Sequence, residues 1–174
     1  MEENKNIPEI RFKGFEGEWG ELTLGDMGQI TMGQSPSSVN YTTDSKYHIL
    51  VQGNSDMKNG KVTPRVWTKQ VTKTADSGDL IISVRAPVGD VGKTSYNVVI
   101  GRGVAAIKAN EFVFQSLIKK KEFGYWDQFS TGSTFESINS NVLKKAIIST
   151  TSKKEQSQIG TFFQNLDKQI TLEQ

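Results

Sequence analysis

The chain has 174 residues, 35% of them hydrophobic, with 16 glycines, no cysteine and a formal net charge of +2. The absence of cysteine excludes disulfides, thiol catalysis and cysteine-ligated zinc, and no apolar run approaches the ~20 residues that a membrane-spanning helix needs. No signal-peptide pattern opens the chain, so we expect a cytoplasmic protein with no membrane partner. The length allows one sizeable core, and frequent glycine favours strands and turns.

Charge is distributed unevenly along the chain. Residues 1–57 carry four Lys/Arg against nine Asp/Glu, a net charge of −5. Residues 58–93 carry seven against three, and residues 119–155 carry seven against four, so both segments are basic. This asymmetry suits a domain that presents one face to a polyanion. Solvated surfaces produce the same pattern, so charge alone does not decide.

In chain order, residues 8–26 predict an irregular arm. Phe12, Phe15 and Trp19 are spaced between glycines, which predicts that the arm is held to a core by its rings, before a short strand or turn at 22–24. β-branched and aromatic composition, bounded by turn residues, then predicts strands. These predicted strands cover residues 47–52, 61–67, 71–74, 80–84, 96–100 and 104–107.

The C-terminal third predicts helices. Apolar periodicity indicates one helix at 111–123, and residues 141–145 form a short helical turn before 146–148. Residues 153–174 predict a helix ~33 Å long, with Ser152 and Glu155 as its capping box.

The last helix carries an apolar stripe at 4-3-4 spacing, the seam of a coiled coil. Its members are Ile159, Phe163, Leu166 and Ile170. We expect the helix to follow the domain and to pair with another helix, giving a homodimer. Folding back onto its own domain is the alternative.

No catalytic site emerges from the sequence. His48 is the single histidine and has no partners for a triad. Asp76, Asp79 and Asp90 flank one predicted strand, but no carboxylate–x–Lys pair follows to complete a nuclease metal site. Residues 100–106 imitate a glycine-rich dinucleotide turn, yet a strand follows instead of the required helix. We therefore predict a binding protein that is not an enzyme, with no metal or cofactor of its own.

Several blocks resemble, in order, those of one family. They are PEIRFKGFEGEW, GDLIISVRAPVGDVG, IGRGVAAI, STGSTFESI and EQSQIGTFFQNLDKQI. The chain is similar to the DNA-specificity subunit of type I restriction–modification systems, with one target-recognition domain and one conserved helix, about half a subunit. The family often has a proline just before that helix. Here Thr150 and Thr151 stand there, which leaves the entry angle of the helix open.

The resemblance implies an α+β fold: a β-rich target-recognition domain at 1–150 with a few short helices, then a long coiled-coil-like dimerisation helix at 151–174. It implies recognition of one half of a bipartite site in double-stranded DNA, and scaffolding of methyltransferase and restriction subunits. S-adenosylmethionine and ATP would bind only to those partner subunits. Two alternatives are a recognition fragment of a fused restriction–modification enzyme and an assembly module that no longer reads DNA.

Candidate contacts follow from this interpretation. Base readout is expected from loops rich in amides and hydroxyls, and Arg85 is assigned either to phosphate contact or to structure. Lys119 and Lys121 are expected to contact phosphates. The predicted readout loops cover residues 33–38, 52–58 and 130–134. Their candidate residues are Gln34, Ser35, Ser37, Gln52, Asn54, Lys58, Ser130, Thr131, Ser133 and Thr134.

Overall fold

The computed structural model describes residues 6–129 and 137–172. The α-helices are α1 (Leu24–Met27), α2 (Glu111–Glu122), α3 (Ser140–Lys145) and α4 (Lys153–Leu172). The strands are β1 (Gly20–Thr23), β2 (Gln29–Met32), β3 (Tyr41–Thr42), β4 (His48–Val51), β5 (Met57–Lys58), β6 (Lys61–Val62), β7 (Val66–Thr68), β8 (Lys73–Ala75), β9 (Leu80–Ser83), β10 (Val91–Lys93), β11 (Val98–Ile100), β12 (Val104–Lys108) and β13 (Ile147–Thr150). Among the described residues, no helix is both long and apolar enough to cross a bilayer.

The strands form two large sheets and one small one. The six-stranded sheet has the order β2-β12-β9-β10-β6-β5, and the five-stranded sheet has the order β3-β7-β4-β11-β8. Strands β1 and β13 pair antiparallel in a separate ribbon. The predicted α+β class, β-rich with short helices and one long C-terminal helix, is confirmed.

The six-stranded sheet is the middle layer of the fold. In β9, the side chains of Leu80 and Ile82 join the core under the helices, whereas Ile81 joins the core shared with the five-stranded sheet. Ile107 and Ala106 divide in the same way on β12. Because successive side chains of a strand point to opposite faces, a strand covered on both faces has a continuous apolar sequence. This explains why residues 80–84 contain no polar alternation before Ser83.

Two strand predictions need correction. Residues 61–67 do not form one strand, because β6 belongs to the six-stranded sheet and β7 to the five-stranded sheet. Pro64 lies between them, and proline has no N–H with which to continue a ladder. The strand predicted at 71–74 begins later, at Lys73.

The N-terminal arm is held by aromatic contacts, as predicted. The rings of Trp19 and Phe112 meet edge-to-face at 5.8 Å between centroids, and those of Phe12 and Phe162 at 5.5 Å. Edge-to-face pairs of this kind stabilise beyond the area that they bury. The arm therefore connects the start of the chain to both α2 and α4.

A buried ion pair also fixes the arm to the start of α4. The Nε and Nη2 atoms of Arg11 donate to the two carboxylate oxygens of Glu155 at 2.7 and 2.8 Å, and Nη1 donates to the Gly17 carbonyl at 2.6 Å. Hydrogen bonding to Arg11 holds the pKa of Glu155 below its usual range. Only half of the predicted capping box forms: the Glu155 N–H donates to Ser152 Oγ at 3.3 Å, while its carboxylate binds Arg11 and Thr151 instead.

The first half of α4 packs against the domain. A Cβ placed on Gly160 would lie 2.9 Å from Glu111 Cβ. Helices α4 and α2 can therefore approach closely because residue 160 is glycine. Ile159 packs against the main core, and Asn110 Nδ2 donates to Gln156 Oε1 at 2.9 Å. The expectation that the helix follows the domain without folding into it is therefore wrong for these turns. The domain boundary after residue 150 stays a prediction.

The second half of α4 exposes the rest of the predicted stripe. Phe163, Leu166 and Ile170 are 42%, 37% and 56% exposed. The apolar stripe of α4 therefore begins at Ile159, packed against the core, and continues along residues that are exposed to solvent.

Candidate nucleic-acid interface

Loops gather at one end of both large sheets. Strands β2, β4, β9 and β11 end there, and β7, β8 and β12 begin there. We call this the loop end. It brings together the predicted readout loop at 33–38, the first half of the one at 52–58, and the chain after β9. The third predicted loop, with Ser130, Thr131, Ser133 and Thr134, lies outside the described residues.

The turn at residues 101–103 is the centre of the loop end. A Cβ on Gly103 would lie only 2.0 Å from the carbonyl oxygen of Gln52, so no other residue fits without backbone movement. The N–H of Arg102 donates to Ser35 Oγ at 3.1 Å, and the N–H of Gln34 donates to the Ile100 carbonyl at 2.9 Å. The two readout loops are thus held on either side of one turn by main-chain groups.

A buried carboxylate fixes the loop after β4. Asp56 is 3% exposed, and its Oδ2 atom accepts the N–H groups of Gln52 and Gly53 at 2.7 and 3.2 Å. Its Oδ1 atom accepts from Arg65 Nε at 2.9 Å. Asp56 is not among the predicted site residues, although an aspartate closing a Gly-Asn-Ser-Asp turn is a sequence signal for such side-chain bonding to backbone N–H groups.

The candidate readout side chains differ in solvent exposure and in hydrogen bonding. Gln34 and Ser37 are exposed, whereas Ser35, Gln52 and Asn54 are half-buried. The amide oxygen of Gln52 accepts from the Tyr41 hydroxyl at 3.1 Å. Among the five, Gln34 and Ser37 are the side chains most open to solvent.

Two exposed arginines lie at the loop end. Arg85 is exposed and directly follows Val84, whose N–H donates to the Gly103 carbonyl at 2.9 Å. On its other side, Arg85 forms an antiparallel bridge with Ser137. Arg102, also exposed, was missed by sequence reasoning. The signal was present as an arginine between two glycines immediately before a buried strand.

The predicted lysines are more dispersed. Lys121 Nζ donates to the Val88 carbonyl at 2.6 Å and lies 3.7 Å from Asp90 Oδ1, so the C-terminus of α2 is attached to the hairpin that follows Arg85. Lys119 is exposed on the same helix end. Lys58 lies beside the β5–β6 turn, which contacts α2 at Phe114.

The three aspartates around β9 do not form one cluster. At the opposite end of the sheet, Lys108 Nζ bonds to both Asp76 and Asp79, and these hydrogen bonds raise the pKa of Lys108. Asp90 lies at the loop end, and His48 is exposed at the start of β4. Within the described ranges, no group of three or more His, Cys, Asp or Glu residues could hold a metal ion.

Residues 16–174 match the family model for the type I restriction modification DNA specificity domain. The chain belongs to this family. The loop end of this specificity domain is accordingly the candidate surface for DNA sequence recognition.

Similar proteins agree with this assignment. A chain described as the type I restriction enzyme MjaX specificity subunit of Methanocaldococcus jannaschii is 30% identical over 98% of this chain and 41% of its own length. The crystal structure of the HsdS subunit from Thermoanaerobacter tengcongensis superposes with a TM-score of 0.74 at 27% identity, over 96% of this chain and 41% of that one. The M. genitalium S subunit, at 17% identity and a TM-score of 0.68 over 94% of this chain and 42% of that one, shares the fold.

A chain from a structural study of complex assembly and conformational transition of the type I R-M system gives a TM-score of 0.76 at 29% identity, over 92% of this chain and 41% of that one. The specificity domain thus spans about two fifths of the length of these relatives. The predicted family is confirmed.

Proposed function

We propose that this specificity domain reads one half of a bipartite site in double-stranded DNA through its loop end. The observation that carries the proposal is the convergence of the 33–38 and 52–56 loops on the 101–103 turn, because it presents amide, hydroxyl and guanidinium groups on one surface. Amides and hydroxyls can read base edges in the major groove, while exposed arginines bind phosphates.

The proposal includes the assembly of a larger complex. The specificity domain holds methyltransferase and restriction subunits on the DNA, and S-adenosylmethionine and ATP bind to those partners. Two specificity domains pair through the exposed part of α4. Helix α4 has 20 residues and is therefore ~30 Å long, close to the ~34 Å of one duplex turn, which suits a spacer between two half-sites.

The test is the DNA sequence that the assembled complex methylates. The specificity domain is combined with the methyltransferase subunits of its own system, and methylated sites are mapped for the wild type and for Gln34→Ala. Gln34 is exposed at the loop end, so its loss should change or relax one base position. Gln158→Ala, exposed on α4, is the matched control and should leave the methylated sequence unchanged.

Two results would contradict the proposal. Identical methylated sequences for the wild type and for combined alanine substitutions at Gln34, Gln52 and Asn54 would remove base readout from these loops. A complex that assembles fully but has no affinity for DNA would favour the assembly-module alternative. By contrast, glutamine substitutions at Lys119 and Lys121 should weaken binding about equally for all sequences.

A further inference from the structure

The four arginines of the chain fall into two classes. Arg11 and Arg65 are each paired with a buried carboxylate. Arg85 and Arg102 are exposed, and neither forms an ion pair with any carboxylate of residues 6–129 and 137–172. The two guanidinium groups without such a partner are therefore the two at the loop end.

The backbone sets these two arginines beside each other. Strands β9 and β12 are antiparallel, with Ser83 opposite Val104. The next hydrogen bond joins the Val84 N–H to the Gly103 carbonyl at 2.9 Å. Arg85 and Arg102 each come one residue beyond that bond. Two like charges held near each other repel, so this arrangement costs free energy unless an anion lies between them.

The backbone also keeps both positions fixed. The Arg102 N–H is bonded to Ser35 Oγ at 3.1 Å, and Gly103 lies tightly against the Gln52 carbonyl. Arg85 is held by its bridge to Ser137. The main chain thus maintains the two cations as neighbours without any help from their side chains.

We propose that Arg85 and Arg102 together form one anion site that binds a single backbone phosphate of the DNA. A guanidinium donates two parallel hydrogen bonds to phosphate oxygens. The negative charge of a phosphate between two guanidinium groups offsets the repulsion between them. Both arginines lie just outside the ends of core strands and not in the readout loops. Such a contact fixes the register of the duplex on the domain. This proposal rests on the proposed function and names one ligand of the loop end, a phosphate of the DNA backbone.

The first experiment is a methylphosphonate scan with the assembled complex. Each phosphate of a bound duplex is replaced in turn by a neutral methylphosphonate, and affinity is measured for the wild type and for the double variant Arg85→Gln/Arg102→Gln. At one position the neutral group should weaken wild-type binding but have no further effect on the double variant. The double variant should lower the slope of log K against log [salt] by ~0.9, the value for one phosphate, and each single variant should lower it by less, because one guanidinium still neutralises that phosphate.

Lys46→Gln is the control, since Lys46 is exposed before the start of β4, at the opposite end of that strand from Gln52. It should reproduce the wild-type scan. A double variant whose slope falls by ~1.8, the value for two phosphates, would overturn the shared site, because the arginines would then contact separate phosphates. So would a scan in which every position affects the wild type and the double variant equally.

A second readout needs no DNA. Sulfate, compared with chloride at matched ionic strength, should raise the thermal midpoint of the wild-type chain more than that of Arg85→Gln or Arg102→Gln. Equal sulfate effects in all three proteins would overturn the anion site. If the wild-type complex fails to bind DNA while this difference persists, the proposed function is wrong and the anion site stands.

Discussion

Gly103 determines how closely the 101–103 turn approaches the loop after β4. An alanine Cβ there would lie 2.0 Å from the Gln52 carbonyl oxygen. The loops must then separate, and we expect Gly103→Ala to lower the free energy of unfolding by about 1–3 kcal/mol, as overpacking does, and to weaken DNA binding.

Gly53 provides the matched control in the neighbouring loop. A Cβ on Gly53 meets nothing within 4 Å, and its φ of −173° is extended. Gly53→Ala should therefore stay within about 0.5 kcal/mol of the wild type. Urea unfolding of both variants checks this, and equal losses would show that the turn tolerates a side chain.

At this scale the sequence was enough to predict candidate readout loops but not what supports them. Gln34 and Arg85 could be selected because their residue types suit DNA, Gln34 in a predicted loop and Arg85 directly after a predicted strand. Asp56 and Arg102 carried only weak local signals, and their surroundings depend on residues elsewhere in the chain: Arg65 beside Asp56 and Ser35 beside Arg102. Long-range register decides such contacts, and composition does not reveal it.

Among the elements, α4 depends on close contact with α2. Leucine at Gly160 would place its Cβ 2.9 Å from Glu111 Cβ and 3.1 Å from the Phe112 nitrogen. We expect Gly160→Leu to push the helices apart, to lower the free energy of unfolding by about 1–3 kcal/mol and to speed hydrogen exchange in α4.

Thr161→Leu adds the same side chain at the next, exposed position of the helix. It should change neither stability by more than about 0.5 kcal/mol nor the exchange rates. If the two leucine variants unfold alike, the close approach at residue 160 does not hold α4 in place.

The arm's ion pair makes the attachment of α4 dependent on pH. Because Arg11 lowers the pKa of Glu155 in the folded state, the stabilisation is complete above about pH 4.3, the ordinary glutamate pKa. It is lost as pH falls through the lower pKa of the folded protein. Glu155→Gln lacks this contribution at every pH.

The wild type should therefore exceed Glu155→Gln in unfolding free energy at pH 7, and the difference should shrink between pH 5 and pH 3. Urea unfolding at each pH measures it. A difference that stays constant to pH 3 would mean that the carboxylate charge does not stabilise the arm.

At the element scale, periodicity predicted α2 and α4 and β-branched runs predicted β9 and β12, since burial on both faces leaves a clear apolar signal. The short strands β2 and β10 escaped because Gln29–Met32 and Val91–Lys93 carry few apolar residues. The packing of the first half of α4 against the domain was also not predicted. A stripe at 4-3-4 spacing does not say whether its partner is a second chain or the helix α2, and here Ile159 takes the second option.

For the whole molecule, the open part of the stripe governs association. Leu166 is 37% exposed between Phe163 and Ile170, and burying large apolar side chains stabilises by about 1.5–3 kcal/mol each. Under the proposed pairing, Leu166→Asp should convert a dimer to a monomer in light scattering without loss of fold.

Asn165→Asp introduces the same charge one residue away, at an exposed position, and should remain a dimer. A wild-type chain that is monomeric at all concentrations would exclude self-association through α4. Dissociation of both variants would assign the effect to added charge and not to the stripe.

The two-sided core behind the loop end has an evolutionary consequence. Strands β9 and β12 are stabilised by both layers, and the loops beside them are positioned by hydrogen bonds of main-chain N–H and carbonyl groups, two of them accepted by the buried Asp56 carboxylate. Most replacements of exposed side chains leave these hydrogen bonds unchanged. Exposed positions such as Gln34 and Ser37 can thus mutate at little cost to folding, and selection can diversify the sequence that is read while the scaffold is inherited unchanged.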